Sequence, residues 1–348
     1  MELTKRQQFI LNQIISAHRP LSIKELKQLI ITNYDISRDT LGRELTILLN
    51  NGFIKSIGLG PATTYSIDNN LLSPIDAESY FATHQDSRQV TTEPNLEFFH
   101  RLSQTNLTPD ISVIDRQIIQ YQAKITDLPP DIRQKELERF VIDLAYKSSA
   151  IEGNTYTLLE TEILIKTAQR ATGHDEKESL MILNHKTALD LIIKNPASFK
   201  HISLNNIIDI HRQLTFDLGV NSGIRRHAVG ISGTNYRPLD NEFALREHLE
   251  RAIEIVNKKT NPIEKAIIIS GLIIYLQPFA DGNKRTARMT ANAVLLAYDI
   301  APISYRNIDE LYYKKAAILI DEQHNFYHYC RIMLDSLIFS LDNYAVRI

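Results

Sequence analysis

The 348-residue sequence has little cysteine, little net charge and no long apolar run. Its single cysteine, Cys330, excludes an internal disulfide and is typical of a reducing compartment, so we expect a cytoplasmic protein. The net charge of -2 gives no overall preference for nucleic acid or for membrane surfaces. Any basic binding surface must therefore be local.

The longest apolar stretch, AIIISGLIIYL at 266–276, is far shorter than the roughly 20 residues of a membrane span. It predicts a buried helix, and we expect no membrane partner. The N-terminal residues show amphipathic spacing without an apolar segment that leads to a small-residue cleavage site, so we expect no secretory signal. The length suits two modest domains.

The first 68 residues combine three helical patterns with one extended pattern. Apolar spacing predicts helices that start at Thr4, Ser22 and Ser37. Ser22 with Glu25 predicts a capping box, and Gly52 predicts the end of the third helix. The segment 53–67, FIKSIGLGPATTYSI, predicts a hairpin around a Gly-Leu-Gly-Pro turn. This order resembles a winged helix-turn-helix domain with 37–51 as its recognition helix.

Three side chains at the start of that recognition helix are candidates for DNA contacts: Arg38, Thr40 and Arg43. The first turns of such helices reach base edges and phosphates in the major groove. The predicted wing carries only Lys55, and few phosphate contacts give weak binding unless a homodimer doubles them. DNA binding and protein docking therefore both remain open for this domain.

Residues 69–110, which are rich in Ser, Thr, Asn, Gln and Pro, predict a connecting arm with a short helix. Beyond them the apolar spacing predicts helices over 111–125, 130–149, 157–171, 176–193, 203–216, 242–258, 261–276, 283–298, 307–319 and 323–340. Only 219–240, GVNSGIRRHAVGISGTNYRPLD, breaks this pattern, and its turn residues predict a small β-hairpin flap. The expected fold class is mainly α.

The segment LQPFADGNKRTAR, 276–288, has the composition of a di- or triphosphate site. Its turn and charged residues are Asp281, Gly282, Asn283, Lys284, Arg285 and Arg288. Converging backbone N–H groups and the helix dipole favour anions where such a turn opens a helix. Gly282 permits the positive φ of this turn, and Asp281 is suited to hold Mg²⁺ against a phosphate. A capped helix with a solvated basic face is the alternative interpretation.

The same segment resembles the signature of the Fic (Fido) family, His-x-Phe-x-Asp/Glu-Gly-Asn-Gly/Lys-Arg-x-x-Arg, except that Gln277 replaces the histidine. A second motif, SSAIEG at 148–153, resembles the inhibitory helix of the family, Ser/Thr-x-x-x-Glu-Gly/Asn. With Asn184 and the flap between the motifs, the resemblance covers roughly residues 111–320. Together with the N-terminal patterns, it predicts a winged helix (1–68), a connecting arm (69–110) and an all-helical Fic-type domain (111–348).

The resemblance also implies a protein that binds ATP and Mg²⁺ and moves AMP onto a hydroxyl of a target protein. It assigns the outer phosphates to Arg285 and Arg288, the α-phosphate to Asn283 and the Gly282–Lys284 backbone, Mg²⁺ to Asp281, and target alignment by strand addition to Gly230, Ile231 and Ser232. Glu152, in a motif with Ser148 and Gly153, would pair with Arg288 and misplace the γ-phosphate.

Two departures from the family pattern bear on activity. Gln277 cannot act as a general base, a loss that typically costs about 10²–10⁴ in rate; His227, beside the flap, is a geometric candidate to replace it. Lys284 stands where AMP-transferring members usually carry Gly, and it favours phosphate transfer as in the branch that resembles the Doc toxins. Three hypotheses follow: an autoinhibited AMP transferase that is weak or inactive, a DNA-binding regulator that senses nucleotide, and a phosphate-transferring enzyme.

Overall fold

The computed structural model describes residues 4–17, 19–50, 53–67, 71–72, 74–88, 90, 96–104, 107 and 111–346. Its helices are α1 (Lys5–Ser16), α2 (Ile23–Ile30), α3 (Arg38–Asn50), α4 (Ala77–Ala82), α5 (Leu96–Gln104), α6 (Ile111–Thr126), α7 (Pro130–Ala150), α8 (Leu158–Thr167), α9 (Glu176–Lys194), α10 (Leu204–Leu214), α11 (Glu242–Lys258), α12 (Pro262–Leu276), α13 (Asn283–Ala297), α14 (Glu310–Gln323) and α15 (Tyr327–Asn343). The strands are β1 (Leu21–Ser22), β2 (Ile54–Ile57) and β3 (Thr64–Ile67). The prediction of a mainly α protein is confirmed.

The N-terminal elements form three helices and one antiparallel sheet of order β1-β3-β2. The predicted hairpin is present, with Ile54 opposite Ile67. The capping box of α2 is also present, because Ser22 Oγ accepts from the Glu25 N–H at 3.3 Å and the Glu25 carboxylate accepts from the Ser22 N–H at 2.8 Å. Strand β1 was not predicted, since two residues carry no periodicity. Gly52 and the predicted boundary at 68–69 lie outside the described residues.

The segment predicted as a connecting arm contains two α-helices, α4 and α5, where one short helix was expected. Phe98 and Phe99 of α5 are buried, and the ring of Phe98 packs against those of Tyr275 and Phe326. Arg88 forms a two-point ion pair with Glu322 of α14, both bonds being 3.0 Å long. The described part of the arm therefore packs on the helical domain. The predicted boundary at 110 lies outside the described residues.

All ten helices predicted beyond residue 110 are present, with ends that differ by a few residues. Helix α8, for example, ends at Thr167 because Ala168 adopts a left-handed conformation with φ 58°. Helix α12 begins after Asn261, whose side chain accepts from two N–H groups of its first turn, and Pro262 occupies its first position. Every residue from Ile263 to Leu276 is buried, so α12 is the central helix of the domain.

The predicted hairpin flap at 219–240 is wrong, because this segment contains no strand. It is an irregular loop organised around the buried side chain of Arg225. The guanidinium donates to the carbonyl oxygens of Gln277, His227 and Leu239, and the Arg225 N–H donates to the Pro278 carbonyl at 2.9 Å. Alternating Val229 and Ile231 have no partner strand, so the chain follows these side-chain contacts instead.

Among the described residues, no helix is both long enough and apolar enough to cross a lipid bilayer.

Candidate nucleotide site

The candidate site is the loop between α12 and α13, at the centre of the helical domain. Helix α12 ends at Gln277, which is left-handed with φ 47° and ψ 56°, and α13 begins after Gly282 at φ 80°. A Cβ on residue 282 would lie 2.9 Å from Cγ2 of Thr215, so both backbone conformation and space require glycine here. The loop therefore needs the Asp-Gly-Asn turn that the sequence shows.

Phe279 and Asn283 hold the loop closed. The Phe279 ring is fully buried and stacks on His211, with centroids 3.8 Å apart and planes 7° apart. The Asn283 side chain accepts from the Phe279 N–H at 2.9 Å and donates to the Phe279 carbonyl at 2.8 Å. Asn283 was expected to offer side-chain donors to a phosphate, but in this structure its amide closes the loop. The backbone at 282–284 remains as the candidate anion contact.

Two arginines from the first turns of α13 converge beneath the loop. Arg285 is 3% exposed and donates to the Asp281 carboxylate at 3.1 Å. Arg288 is fully buried and lies over the ring of Tyr313, 5.4 Å from its centroid. Burial lowers the pKa of Arg285, whereas the anionic neighbour of Arg288, Glu152, raises the pKa of Arg288 against the opposing effect of burial. Arg285 and Arg288 therefore bring two positive charges close together beneath the loop.

The motif at 148–153 lies directly against Arg288. Nη2 of Arg288 donates to the Glu152 carboxylate at 2.8 Å and to the Ser148 carbonyl at 2.8 Å, and Nε donates to Ser148 Oγ at 2.9 Å. Gly153 follows in the left-handed region at φ 96° and ends this turn after α7. Burial pushes the pKa of Glu152 up, but the positive charge of Arg288 outweighs it and the net shift is downward. The structure thus brings together the two motifs that the sequence separates by 136 positions.

Gln277 is 8% exposed and its amide is engaged with its own helix. Nε2 donates to the Ile274 carbonyl at 2.7 Å, and the Gln277 carbonyl accepts from Arg225 at 2.7 Å. His227, the candidate substitute base, is exposed, and its carbonyl is bound by Arg225. The described structure therefore shows no contact that places His227 in the loop.

The expected target-aligning residues lie on the irregular loop. Gly230 and Ser232 are exposed, whereas Ile231 is half-buried against the core. The arm supports the next part of this loop, because Arg88 donates to the Gly233 carbonyl and Asn235 donates to the Asp86 carboxylate at 3.1 Å. Gly230 and Ser232 are thus exposed on a loop whose next part is held by contacts with the arm.

Asp281 is the one carboxylate of the loop, and its side chain is 69% exposed. No group of three or more His, Cys, Asp or Glu side chains suited to a metal ion exists among the described residues. Magnesium is commonly held by one or two carboxylates together with phosphate oxygens and water. The donor set therefore fits a cation that arrives with a phosphate group, not a metal site built by protein alone.

Sequence reasoning missed several residues that shape the site. Nε2 of His211 donates to the Asp281 carbonyl at 3.0 Å, and burial lowers the pKa of His211 to about 4. His185, next to the Asn184 that the sequence singled out, contacts Ser148 Oγ at 2.8 Å. Asn184 itself donates to the Phe216 carbonyl at 2.8 Å. A lone histidine in an amphipathic helix carries no signal that could have revealed these roles.

The DNA-contact candidates lie on the surface of the N-terminal elements. Arg38 and Arg43 are exposed, but Thr40 is half-buried and its hydroxyl is within 2.8 Å of Ser37 Oγ at the start of α3. Thr40 therefore belongs to the helix cap. A groove of about 570 Å³ lies beside Arg38 and is lined by Ser22, Ile23, Lys24, Lys27, Gln28, Ile31 and Arg38. Its three charged side chains are all cations.

The fold and the loop define a helical protein in which a buried arginine at the start of α13 is paired with a carboxylate from the turn that follows α7. Residues 201–295 match the family model described as Fic/DOC family. It is 25% identical over 274 residues to the "Protein adenylyltransferase Fic" of Nematostella vectensis, covering 71% of this chain and 57% of that relative. The chain spans about half the length of the curated relatives it matches.

Two solved structures share the fold. The structure of Fic-1 (residues 134–508) from Caenorhabditis elegans superposes with a TM-score of 0.57 at 22% identity, covering 68% of this chain and 73% of that one. A Fic domain containing signaling protein from Bacteroides thetaiotaomicron gives a TM-score of 0.57 at 19% identity, covering 65% and 93%. These likenesses concern the fold alone.

Proposed function

We propose that this protein binds ATP at the 281–288 turn and is an AMP transferase of the Fic type that is restrained by Glu152 and slow because Gln277 replaces the family histidine. The observation that carries the proposal is the 2.8 Å ion pair between Arg288 and Glu152, in the motif spacing of the family. The names of the curated relatives, which are protein adenylyltransferases, support AMP as the transferred group.

Each residue of the turn has a proposed task. Arg285 and Arg288 bind the outer phosphates, and the 282–284 backbone binds the α-phosphate at the N-terminus of α13. Asp281 contributes the protein ligand of Mg²⁺, which would neutralise phosphate charge when bound. Gln277 offers a hydrogen bond to the target hydroxyl without accepting its proton. Positioning and charge stabilisation then supply what catalysis remains.

The Glu152 contact explains the restraint. While Nε and Nη2 of Arg288 donate to Ser148 and Glu152, these two donors are not available to a γ-phosphate, and the carboxylate adds a negative charge beside the phosphate position. Removing one partner of a buried ion pair leaves the other charge without a counterion. When Glu152 is removed, a phosphate of ATP supplies a counterion to Arg288. We therefore expect Glu152→Ala to raise the affinity for ATP, as measured by calorimetry. The matched control is Glu138→Ala, a 42% exposed carboxylate of α7, which should leave the affinity unchanged.

The reaction is tested with ATP labelled at the α- or the γ-phosphate and Glu152→Ala protein, with and without Gln277→His. We expect slow α-label transfer with Gln277 in place and about 10²–10⁴-fold faster transfer with the histidine. Transfer of γ label alone would show the phosphate transfer that Lys284 favours. No label with either residue at 277 would contradict transferase activity.

A second candidate function, DNA-binding regulation, is favoured by the basic groove beside Arg38. Lys24, Lys27 and Arg38 line one groove without an acidic neighbour in its lining. Each phosphate contact that is lost lowers the salt dependence of DNA affinity by about 0.9 in slope. We expect Arg38→Ala with Arg43→Ala to abolish a mobility shift on the promoter region of the protein's own gene.

The charge-matched control for that experiment is Arg246→Ala with Arg251→Ala, two exposed positions on α11. Equal loss of binding in both double variants would indicate a nonspecific effect of net charge. If the unaltered protein gives no shift, the N-terminal domain is better explained as a protein-docking module.

A further inference from the structure

His185 is a buried histidine of α9 that lies directly behind the Glu152–Arg288 contact. It is 1% exposed, with Nδ1 2.7 Å from the Met181 carbonyl and Nε2 2.8 Å from Ser148 Oγ. Ser148 Oγ is in turn 2.9 Å from Nε of Arg288. The three side chains therefore form a continuous hydrogen-bonded row that ends at the candidate phosphate-binding arginine.

The direction of every hydrogen bond in this row is determined. A carbonyl oxygen can only accept, so Nδ1 of His185 carries the proton that is donated to Met181. Burial lowers the pKa of His185 to about 3, so the ring is neutral and Nε2 is an acceptor. The Ser148 hydroxyl must then donate to His185, and Arg288 donates to the lone pair of the same oxygen. Each hydrogen bond of the row then has one donor and one acceptor.

We propose that His185 is a positioning residue of the nucleotide site, because it holds Ser148 Oγ where that oxygen accepts from Arg288 and so holds Arg288 against Glu152. The inference rests on the proposed restraint of ATP binding by Glu152. Without an acceptor at 185, the hydroxyl turns to the carbonyl four residues earlier in α7, as serines in helices commonly do. That rotation takes Oγ away from Nε, and Arg288 is then held less firmly by α7.

The contrasting role is a histidine that merely fills the core. A core-filling residue changes the free energy of unfolding without changing how Arg288 competes for a phosphate. The two roles separate when ATP affinity and thermal stability are measured on the same variants. His185→Met keeps a similar length and removes the acceptor, whereas His185→Gln keeps an amide oxygen near the position of Nε2.

We expect His185→Met to raise ATP affinity about two- to tenfold in calorimetry, the range that the loss of one hydrogen bond gives, and His185→Gln to leave it near the unaltered value. In a Glu152→Ala background, His185→Met should have no further effect. Equal affinities of the Met and Gln variants would overturn the inference, as would an undiminished effect of His185→Met in the Glu152→Ala background.

If His185→Met does not fold, Ser148→Ala tests the same row. Its ATP affinity should rise by a similar factor while that of His185→Gln does not, and an unchanged affinity of Ser148→Ala would overturn the inference. If Glu152→Ala itself leaves ATP affinity unchanged, the proposed restraint fails. The role of His185 is then tested by the ATP affinities of His185→Met and His185→Gln alone. Different affinities would support the role, and equal affinities would refute it.

Discussion

Arg288 is a fully buried cation whose charge is balanced by a residue of the turn that follows α7. Glu152 pairs with it, and the net effect of burial and of that positive charge is a lowered pKa for the carboxyl group. A carboxylate with a depressed folded-state pKa stabilises the protein above its unfolded pKa and loses this contribution only as the pH falls through the folded value. The proposed restraint should therefore not be released anywhere near neutral pH.

Asp321 is a buried carboxyl group of α14 with the opposite behaviour. It is 1% exposed, its Oδ1 has no hydrogen-bond partner within the described residues, and burial raises its pKa well above the ordinary value. A carboxyl group whose pKa is raised on folding stabilises the folded protein fully at pH values below its pKa in the unfolded chain. This contribution is lost as the pH rises through its pKa in the folded protein. Above that value, charging Asp321 costs stability.

We therefore predict that Asp321→Asn matches the unaltered protein in thermal stability near pH 4 and exceeds it near pH 9, by on the order of 1 kcal/mol. The measurement is thermal unfolding across this pH range. Asp335→Asn, at a position whose side chain is 57% exposed, is the control and should show no such divergence. Parallel pH profiles for Asp321→Asn and the unaltered protein would contradict the prediction.

Helix α12 contains a glycine whose presence is explained by packing against a neighbouring side chain. Gly271 lies in the middle of this buried helix, where glycine is unfavourable by roughly 1 kcal/mol relative to alanine. A Cβ at this position would lie 2.2 Å from Cε1 of the buried Phe326 ring. The glycine is therefore explained by the close approach of the start of α15 to α12.

We predict that Gly271→Ala lowers stability by about 1–3 kcal/mol, because overpacking outweighs the gain in helix propensity. Gly42→Ala in α3 is the matched control, since a Cβ there meets nothing within 4 Å and should stabilise by roughly 0.4–1 kcal/mol. Chemical unfolding of both variants measures whether the free energy of unfolding falls for Gly271→Ala and rises for Gly42→Ala. Stabilisation by Gly271→Ala would show that the Phe326 ring moves at little cost.

At the scale of the whole molecule, the arm is attached to the core of the helical domain. The Phe99 ring is fully buried and lies 6.3 Å, centroid to centroid, from that of Tyr275 near the end of α12. Burying such a ring contributes as much as a core residue of the domain itself. The segment that composition predicted as a connector thus stabilises the elements that carry the candidate site.

We predict that Phe99→Ala destabilises the protein by about 3–5 kcal/mol, as truncation of a buried aromatic does. Phe243→Ala, at a position that is 81% exposed on α11, should change stability very little. Chemical denaturation of the full chain measures the free energy of unfolding of both variants. An unchanged stability of Phe99→Ala would mean that the arm behaves as a spacer.

The helices beyond residue 110 and the site turn could be predicted from the sequence, because apolar spacing, caps such as Asn261 and the Asp281–Gly282–Asn283 turn are local properties of the chain. The conformation of the loop 219–240 depends on tertiary contacts that the sequence pattern does not show. The Arg225 side chain donates to the carbonyl oxygens of Gln277 and Leu239, and the predicted strand pairing does not form. The row from His185 through Ser148 to Arg288 likewise joins three helices. Periodicity reports which face of a helix is buried, but which buried polar groups meet depends on how distant helices pack.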